Sequence, residues 1–128
     1  MVTGVQTWLF DLEGRQVESA PGDGLMGTAT SPGAVTGPAR VVAGPADFKR
    51  LREGDILVCR ATDPAWTPLF ALAAGVVAET GGRLSHAAIV AREYGIPAVL
   101  GVPGATVRIA DGARISVDGT AGRVADLS

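Results

Sequence analysis

Blocks of apolar residues alternate with polar, glycine-containing segments through the middle of the chain. Three short apolar runs, rich in β-branched residues, are typical of buried strands: residues 55–61, 76–80 and 96–101. Three other segments have the composition or the apolar spacing of helices and end at a glycine: residues 45–54, 65–75 and 85–95. The pattern therefore predicts strands and helices in alternation.

Both ends of this patterned region are typical of extended chain interrupted by turns. Residues 27–44 predict two short strands broken at Ser31-Pro32-Gly33, where proline fixes φ and glycine tolerates positive φ. Residues 105–127 predict strands joined by turns at Asp111-Gly112 and Asp118-Gly119. Hairpin-like ends around an alternating middle favour a mixed sheet.

These elements predict an α/β fold of layered β/β/α type, a mixed sheet with short helices, over an all-helical or sandwich fold. A length of 128 residues favours one domain with its own core. Residues 1–24 are heterogeneous: residues 5–10, VQTWLF, are compatible with a short strand, whereas residues 13–24 are polar and rich in turn formers. We therefore expect an N-terminal extension or tether at residues 1–24 and the folded domain at residues 25–128.

The charge balance argues against a nucleic-acid partner. The formal net charge is −2, lysines and arginines form no run, and aromatic residues make up only 5% of the chain. The one basic cluster, at Lys49, Arg50 and Arg52, is followed by Glu53 and Asp55 and is typical of a solvated helix end.

The sequence also predicts a reducing, aqueous environment. Cys59 is the only cysteine and lies in an apolar run, so we expect a buried structural thiol and no intrachain disulfide. The N-terminus lacks a basic segment before an apolar one, and the longest apolar run, residues 68–78, is about half a membrane span. We therefore expect a cytoplasmic protein with no membrane contact.

Three familiar motifs do not apply. Residues 22–27 match the dinucleotide pattern G-x-G-x-x-G, but they neither follow a strand nor begin a helix. One histidine, one cysteine and scattered carboxylates give no metal-ligand spacing. Ser85 precedes His86 directly, yet the surrounding sequence is not a nucleophile elbow.

The single histidine, His86, is the candidate for chemistry. Ser85 is a good N-cap, which makes His86 the first helical residue, beside unpaired N–H groups. Gly81 and Gly82 leave room for close approach, and Arg83 would add a charged donor to a phosphoryl group. Neutral imidazole accepts a phosphoryl group and passes it on readily. These residues leave two alternatives open: a phosphohistidine, or a helix-start histidine with one satisfied hydrogen bond.

Residues 81–101, GGRLSHAAIVAREYGIPAVLG, closely resemble the phosphohistidine signature of the phosphoenolpyruvate-utilising enzymes. That family includes pyruvate phosphate dikinase, phosphoenolpyruvate synthase, rifampicin phosphotransferases and, more distantly, enzyme I of the sugar phosphotransferase system. The likeness continues upstream in residues 56–82 and 27–42. It departs at Ala78, where many members have threonine, and at Leu84, where threonine or methionine is frequent.

The resemblance implies the family's swivelling β/β/α domain, which carries phosphoryl groups between two separate active sites. It implies that His86 is the phosphorylated nucleophile and that the chain is a phosphotransferase component of the dikinase type. The supporting residues that it implies are Thr62, Gly81, Gly82, Arg83 and Ser85.

The resemblance also implies where the remaining components belong. The donor is ATP or phosphoenolpyruvate, and Mg²⁺ and ATP are expected on a nucleotide-binding, ATP-grasp-like partner domain or subunit, while another domain binds the acceptor. This chain itself is expected to bind no metal or cofactor. The alternative is a non-catalytic docking or regulatory module of a multidomain phosphotransferase. The acceptor, and the imidazole nitrogen that is phosphorylated, stay open.

Overall fold

Eight strands and three short α-helices make up most of the regular structure of residues 24–128, the part of the chain that the computed structural model describes. The strands are β1 Gly24–Met26, β2 Thr28–Ser31, β3 Ala34–Val41, β4 Ile56–Cys59, β5 Gly75–Ala78, β6 Ala98–Leu100, β7 Arg114–Asp118 and β8 Arg123–Asp126. The helices are α1 Thr67–Phe70, α2 His86–Tyr94 and α3 Ala105–Arg108, with 3₁₀ helices at Pro45–Arg50 and Pro64–Trp66. The predicted extension at residues 1–24 lies outside the described residues except for Gly24, where β1 begins.

The strands pair in the order β1-β8-β7-β3-β4-β5-β6-β2. The neighbours from β3 through β6 are parallel, whereas the other pairs are antiparallel. Strand β3 belongs to both halves, because residues 34–38 pair with β7 and residues 39–41 pair with β4. One long strand therefore joins an antiparallel half to a parallel half.

Side chains of the parallel strands face two different apolar clusters. In β4, Ile56 and Val58 pack with residues of the antiparallel half, while Leu57 and Cys59 pack with the helices. Successive strand residues point to opposite faces, and strands buried on both faces are apolar throughout. The parallel half is thus the middle of three layers. The predicted β/β/α arrangement, with a mixed sheet and short helices, is confirmed.

The two ends of the strand order come together at the link between β1 and β2. These strands are separated in sequence only by Gly27, whose N–H donates to the Gly122 carbonyl at 2.9 Å. The turn between β7 and β8 also contacts β2's end, since the Gly119 N–H donates to the Gly33 carbonyl at 2.7 Å. The sheet therefore curls until its first and last strands meet.

The predicted helix at residues 65–75 is wrong in its extent. A 3₁₀ turn leads into α1, which ends at Phe70, and Gly75 begins β5 instead of ending a helix. A Cβ at Gly75 would lie 2.9 Å from Val35 and 3.3 Å from the Pro97 carbonyl. The glycine is therefore required by close packing between strands, which is a contact distant in sequence.

The all-strand prediction for residues 105–127 is also wrong at its start. Residues 105–108 form α3, so the Asp111-Gly112 turn leads from a loop into β7 and does not join two strands. The Asp118-Gly119 turn does connect β7 and β8, as predicted. The segment predicted as a helix at 45–54 is a 3₁₀ helix that ends at Arg50. Within the described part of the chain, no helix has both the length and the apolar character needed to cross a membrane.

Candidate active site

The predicted site residues gather where the parallel strands end. Thr62 follows β4, Gly81 and Gly82 follow β5, and His86 begins the helix after that loop. In a parallel sheet the carboxyl ends of neighbouring strands lie side by side, and ligands bind there. The topology therefore brings Thr62 to His86 across 24 residues of sequence.

Helix α2 has the predicted start and the predicted end. Ser85 is extended, and its hydroxyl accepts a hydrogen bond from the Ala88 N–H at 3.4 Å and donates one to the Gly82 carbonyl at 2.8 Å. Gly95 ends the helix in the left-handed conformation, with φ at 70°. Ser85 thus fixes both the first turn of the helix and the glycine turn before it.

The imidazole of His86 has a hydrogen-bond partner at each ring nitrogen. Thr62 Oγ1 lies 2.8 Å from Nδ1, and Thr67 Oγ1 lies 3.1 Å from Nε2. Phe70 approaches the ring edge to face, with 5.9 Å between centroids and 87° between planes. The half-buried ring is therefore fixed by the loop after β4 and by helix α1. Both elements are distant in sequence from α2.

The two threonine hydroxyls can satisfy either neutral tautomer of the ring. A neutral imidazole has one N–H donor and one nitrogen lone pair, and each threonine hydroxyl donates or accepts. When Nδ1 carries the proton it donates to Thr62, and Nε2 accepts from Thr67. In this tautomer the nitrogen lone pair lies on Nε2, at the tip of the ring, and is engaged by the Thr67 hydroxyl.

The two glycines before the helix have different physical roles. Gly81 has φ at 109°, and a Cβ there would lie 3.0 Å from Ser85 Oγ. Gly82 has no atom within 4 Å of where a Cβ would stand. Gly81 is thus required by the backbone and its packing, whereas Gly82 keeps the space beside the helix start open.

Arg83 is exposed, and among the described residues it makes no hydrogen bond to His86. Its carbonyl accepts a hydrogen bond from Arg92 Nη2 at 2.6 Å, and it lines a groove beside β2. The structure therefore brings Thr62, Gly81, Gly82 and Ser85 around the helix start with His86, and it places Arg83 on the side towards β2. The functional roles of these six residues stay predictions.

Sequence reasoning missed Thr67 and Phe70. Both lie on α1, and their contacts with His86 depend on how α1 packs against α2. The one local signal is that Thr67 is the polar residue of the otherwise apolar segment WTPLF.

Cys59, at the end of β4, and Glu79, directly after β5, both have shifted pKa values. Glu79 Oε2 accepts hydrogen bonds from the Thr106 hydroxyl at 2.5 Å and the Thr106 N–H at 2.9 Å. These bonds, with the charge of Arg60, hold the pKa of Glu79 below its usual 4.5. Burial, helped by the charge of Glu79, raises the pKa of the Cys59 thiol to about 12. Cys59 is therefore a neutral buried thiol, as predicted.

No group of three or more histidine, cysteine, aspartate or glutamate side chains in residues 24–128 is arranged to hold a metal ion.

A protein-family model described as "PEP-utilising enzyme, mobile domain" matches residues 51–122. The match includes Thr62, the glycine turn and all of α2. It therefore covers the candidate site and the parallel strands that build it.

Curated proteins that resemble this chain are much longer than it is. A rifampicin phosphotransferase of Streptomyces sviceus is 50% identical over 111 residues, which are 87% of this chain and 13% of that protein. An uncharacterised phosphotransferase of Bacillus subtilis is 49% identical over 81% of this chain and 12% of its own length. A phosphoenolpyruvate synthase of Aeropyrum pernix is 43% identical over 78% of this chain and 12% of its own. The chain thus spans about an eighth of these relatives.

Solved structures share the fold. An Enzyme I protein solved in solution is 32% identical, with a TM-score of 0.56 over 63% of this chain and 34% of that one. Aconitase X of Thermococcus kodakaraensis in its holo form has a TM-score of 0.63 over 82% of this chain, at 19% identity, and shows similarity of fold alone.

Proposed function

Because this chain belongs to the family of PEP-utilising enzyme mobile domains, we propose that it is a phosphoryl carrier with His86 as the nucleophile. The observation that carries this proposal is the fixed imidazole, which has a threonine hydroxyl at each ring nitrogen. A histidine that only packs at a helix start is satisfied by one partner. A ring held at both nitrogens, beside the open space at Gly82, is oriented for in-line attack.

Nε2 is the attacking nitrogen in this proposal. It lies at the tip of the ring, away from the backbone, and its 3.1 Å contact with Thr67 is longer than the 2.8 Å contact of Nδ1 with Thr62. Nδ1 then keeps its proton and donates it to Thr62 throughout. The Thr67 hydroxyl must turn away from Nε2 before the lone pair can attack.

The transfer takes two steps. The Nε2 lone pair forms a bond to phosphorus while the bond from phosphorus to the donor's leaving oxygen breaks, and that oxygen keeps the electron pair. An acceptor oxygen then bonds to the phosphorus, the N–P bond breaks and the electron pair returns to Nε2. A hydroxyl acceptor gives its proton to a base on the acceptor's domain.

The residues before the helix support the charged phosphoryl group in this proposal. Free N–H groups of the first turn of α2 point towards the helix start, where an anion is favoured. Gly81 and Gly82 allow close approach, and Ser85 holds their turn in place through the Gly82 carbonyl. In the same proposal, the exposed Arg83 next to this turn flanks the phosphoryl group with a positive charge.

The remaining components are assigned to partners. Because the chain spans 12–13% of its curated relatives, we propose that a nucleotide-binding, ATP-grasp-like domain supplies ATP and Mg²⁺, and that another domain supplies the acceptor. Phosphoenolpyruvate is the alternative donor. A dikinase-type phosphotransferase in the cytoplasm is the activity that we infer for the whole assembly.

The test is the intact mass of the protein after incubation with ATP, phosphoenolpyruvate and an extract of the source cells. We expect the wild type to gain one phosphoryl group that acid removes, and His86→Ala and His86→Gln to gain none. Both variants should fold, since His86 lies at a half-buried helix end. Nitrogen–phosphorus coupling in NMR spectra of the labelled protein then identifies Nε2 or Nδ1.

Residual acid-labile phosphate on folded His86→Ala would overturn the proposal. If the folded wild type gains no phosphate from any donor, the chain acts instead as a docking or regulatory module.

A further inference from the structure

A groove of about 370 Å³ lies beside β2, on the side of the loop that carries Arg83. Its polar lining consists of Thr30, Ser31, Arg83, Arg92 and Thr120. It joins four parts of the fold: strand β2, the β7–β8 turn, the loop before α2 and helix α2 itself. His86 does not line it, so the groove lies beside the candidate active site and shares Arg83 with it.

The groove collects positive charge without a counterion. Two of its lining residues are arginines, and none of the lining residues within 24–128 is a carboxylate. Neither Arg83 nor Arg92 forms an ion pair with another residue of the described range. Like charges that share one concave surface repel each other, and an anion between them removes that repulsion.

Arg92 is held in a fixed orientation at the wall of the groove. Its Nη1 donates to the Thr30 carbonyl at 2.9 Å, and its Nη2 donates to the Arg83 carbonyl at 2.6 Å. A guanidinium has five N–H donors in a rigid plane, so three remain. A guanidinium that is already positioned loses little entropy when it binds an oxyanion.

Two hydroxyls add neutral donors. Ser31 is only 2% exposed, yet its hydroxyl has no hydrogen-bond partner within residues 24–128. Thr120 Oγ1 accepts from the Gly33 N–H at 2.9 Å, so its own proton is free to donate elsewhere. Buried polar groups are nearly always paired, so the Ser31 hydroxyl, unpaired within residues 24–128, is a candidate donor to a ligand in the groove.

We propose that this groove binds an oxyanion, a phosphate group in the first instance, between Arg83 and Arg92 with Ser31 as a further donor. The site does not depend on phosphorylation of His86. It does affect the active-site loop, because Arg92 holds the carbonyl of Arg83, three residues before the histidine. An anion bound there would hold Arg92, and through it the Arg83 carbonyl, in place.

The test uses NMR spectra of the full 128-residue chain during titration with inorganic phosphate at constant ionic strength, with chloride as the balancing anion. We expect saturable shifts of the Gly33 and Thr120 amide signals and of the Arg83 and Arg92 side-chain N–H signals. Arg83→Gln should weaken this binding about tenfold or more, because it removes one charge-assisted hydrogen bond.

Two control variants separate the groove from other effects. Arg114→Gln removes an equal charge from an exposed residue at the start of β7, outside the groove, and should leave the affinity unchanged. His86→Ala should also leave it unchanged, whatever the outcome for the proposed carrier function. Equal weakening by Arg83→Gln and Arg114→Gln, or shifts that never saturate, would overturn the site.

A second titration with acetate distinguishes the source of the oxyanion. Tighter binding of phosphate assigns the groove to a phosphorylated ligand. Acetate binding as tight or tighter assigns it to a carboxylate side chain of a docking partner. If neither anion shifts the Gly33 and Thr120 signals, the groove is not an anion site.

Discussion

At the scale of single residues, the two threonines around His86 have different consequences for attack. The bond between Thr62 and Nδ1 persists through our proposed reaction, whereas the bond between Thr67 and Nε2 must break. An interaction present in the transition state lowers the barrier, and one lost on the way to it does not. Substitution of Thr62 therefore tests the orientation of the ring, and substitution of Thr67 tests the effect of a hydrogen bond to the Nε2 lone pair.

We expect Thr62→Val to slow phosphoryl transfer to His86 about fivefold, the equivalent of one hydrogen bond of roughly 1 kcal/mol. Thr62→Ser, which keeps the hydroxyl, should retain most of the rate. Thr67→Val should leave the rate unchanged or raise it, because it frees Nε2. Time courses of intact mass measure all three, and a loss with Thr67→Val larger than that with Thr62→Val would exclude Nε2 as the attacking atom.

The glycine turn allows a similar separation of structural and chemical roles. Gly81→Ala should destabilise the fold by about 1 kcal/mol or more, because φ is 109° and the new methyl lies 3.0 Å from Ser85 Oγ. Gly82→Ala meets no atom within 4 Å, so its stability should stay near that of the wild type while its methyl obstructs the phosphoryl group. Chemical denaturation reports the first effect and the phosphorylation rate the second. Full activity of Gly82→Ala would show that phosphorus approaches from elsewhere.

At the scale of elements, Glu79 ties the end of β5 to the start of α3. Its carboxylate accepts from both the hydroxyl and the N–H of Thr106, and these bonds hold its pKa below 4.5. A carboxylate whose pKa is lowered on folding stabilises the native state above its unfolded pKa, and that contribution disappears as the pH falls through the folded pKa.

We therefore expect part of the native stability to be lost as the pH drops below 4.5, and Thr106→Val to reduce that loss. Denaturant midpoints of the wild type and the variant, measured from neutral pH downwards, give the two slopes. Parallel curves would mean that Thr106 has no part in the acid sensitivity. Thr36→Val, at an exposed strand position, is the matched control and should follow the wild type.

The elements that the sequence predicted well are those with local signals. Helix α2 begins after Ser85 and ends at Gly95 because a cap and a left-handed glycine act within one turn. Gly75 misled the prediction for α1, since its real constraint is the distant contact with Val35. The short helix α3, with β-branched residues in ATVR, has no such local signal, and its link to Glu79 forms only in the folded chain.

In the candidate site, too, the residues with local signals were predicted and those that depend on tertiary packing were not. The position of His86 at a capped helix start follows from a few neighbouring residues, and the family motif adds its proposed role. The sequence did not predict Thr67 as the partner of Nε2, because Thr67 reaches the ring only when α1 packs on α2. The sequence did not reveal the arginine groove either, since β2, the β7–β8 turn and the Arg83 loop are brought together by the sheet.

At the scale of the whole molecule, the β7–β8 turn holds the curled sheet together. A Cβ at Gly119 would lie only 1.9 Å from the Ser31 carbonyl oxygen and 2.9 Å from the Ala98 nitrogen. The backbones of two turns and a strand therefore meet where no side chain fits.

Gly119→Ala should destabilise the protein by about 1–3 kcal/mol or more, since the strands must separate to admit one methyl group. Gly24→Ala, where a Cβ meets no atom within 4 Å, should leave stability nearly unchanged. Denaturant unfolding monitored by tryptophan fluorescence compares them. A Gly119→Ala protein as stable as the wild type would show that the turn does not close the sheet.

The meeting of β1 and β2 also bears on how the protein behaves at high concentration. Strands at the ends of a pairing order expose free backbone groups, on which other chains add as extra strands and aggregate. Here those strands have three and four residues, and the register of β2 shifts between Ala29 and Ser31. Short and irregular edges are poor templates for such addition. The folded domain therefore exposes little strand edge on which another chain could add.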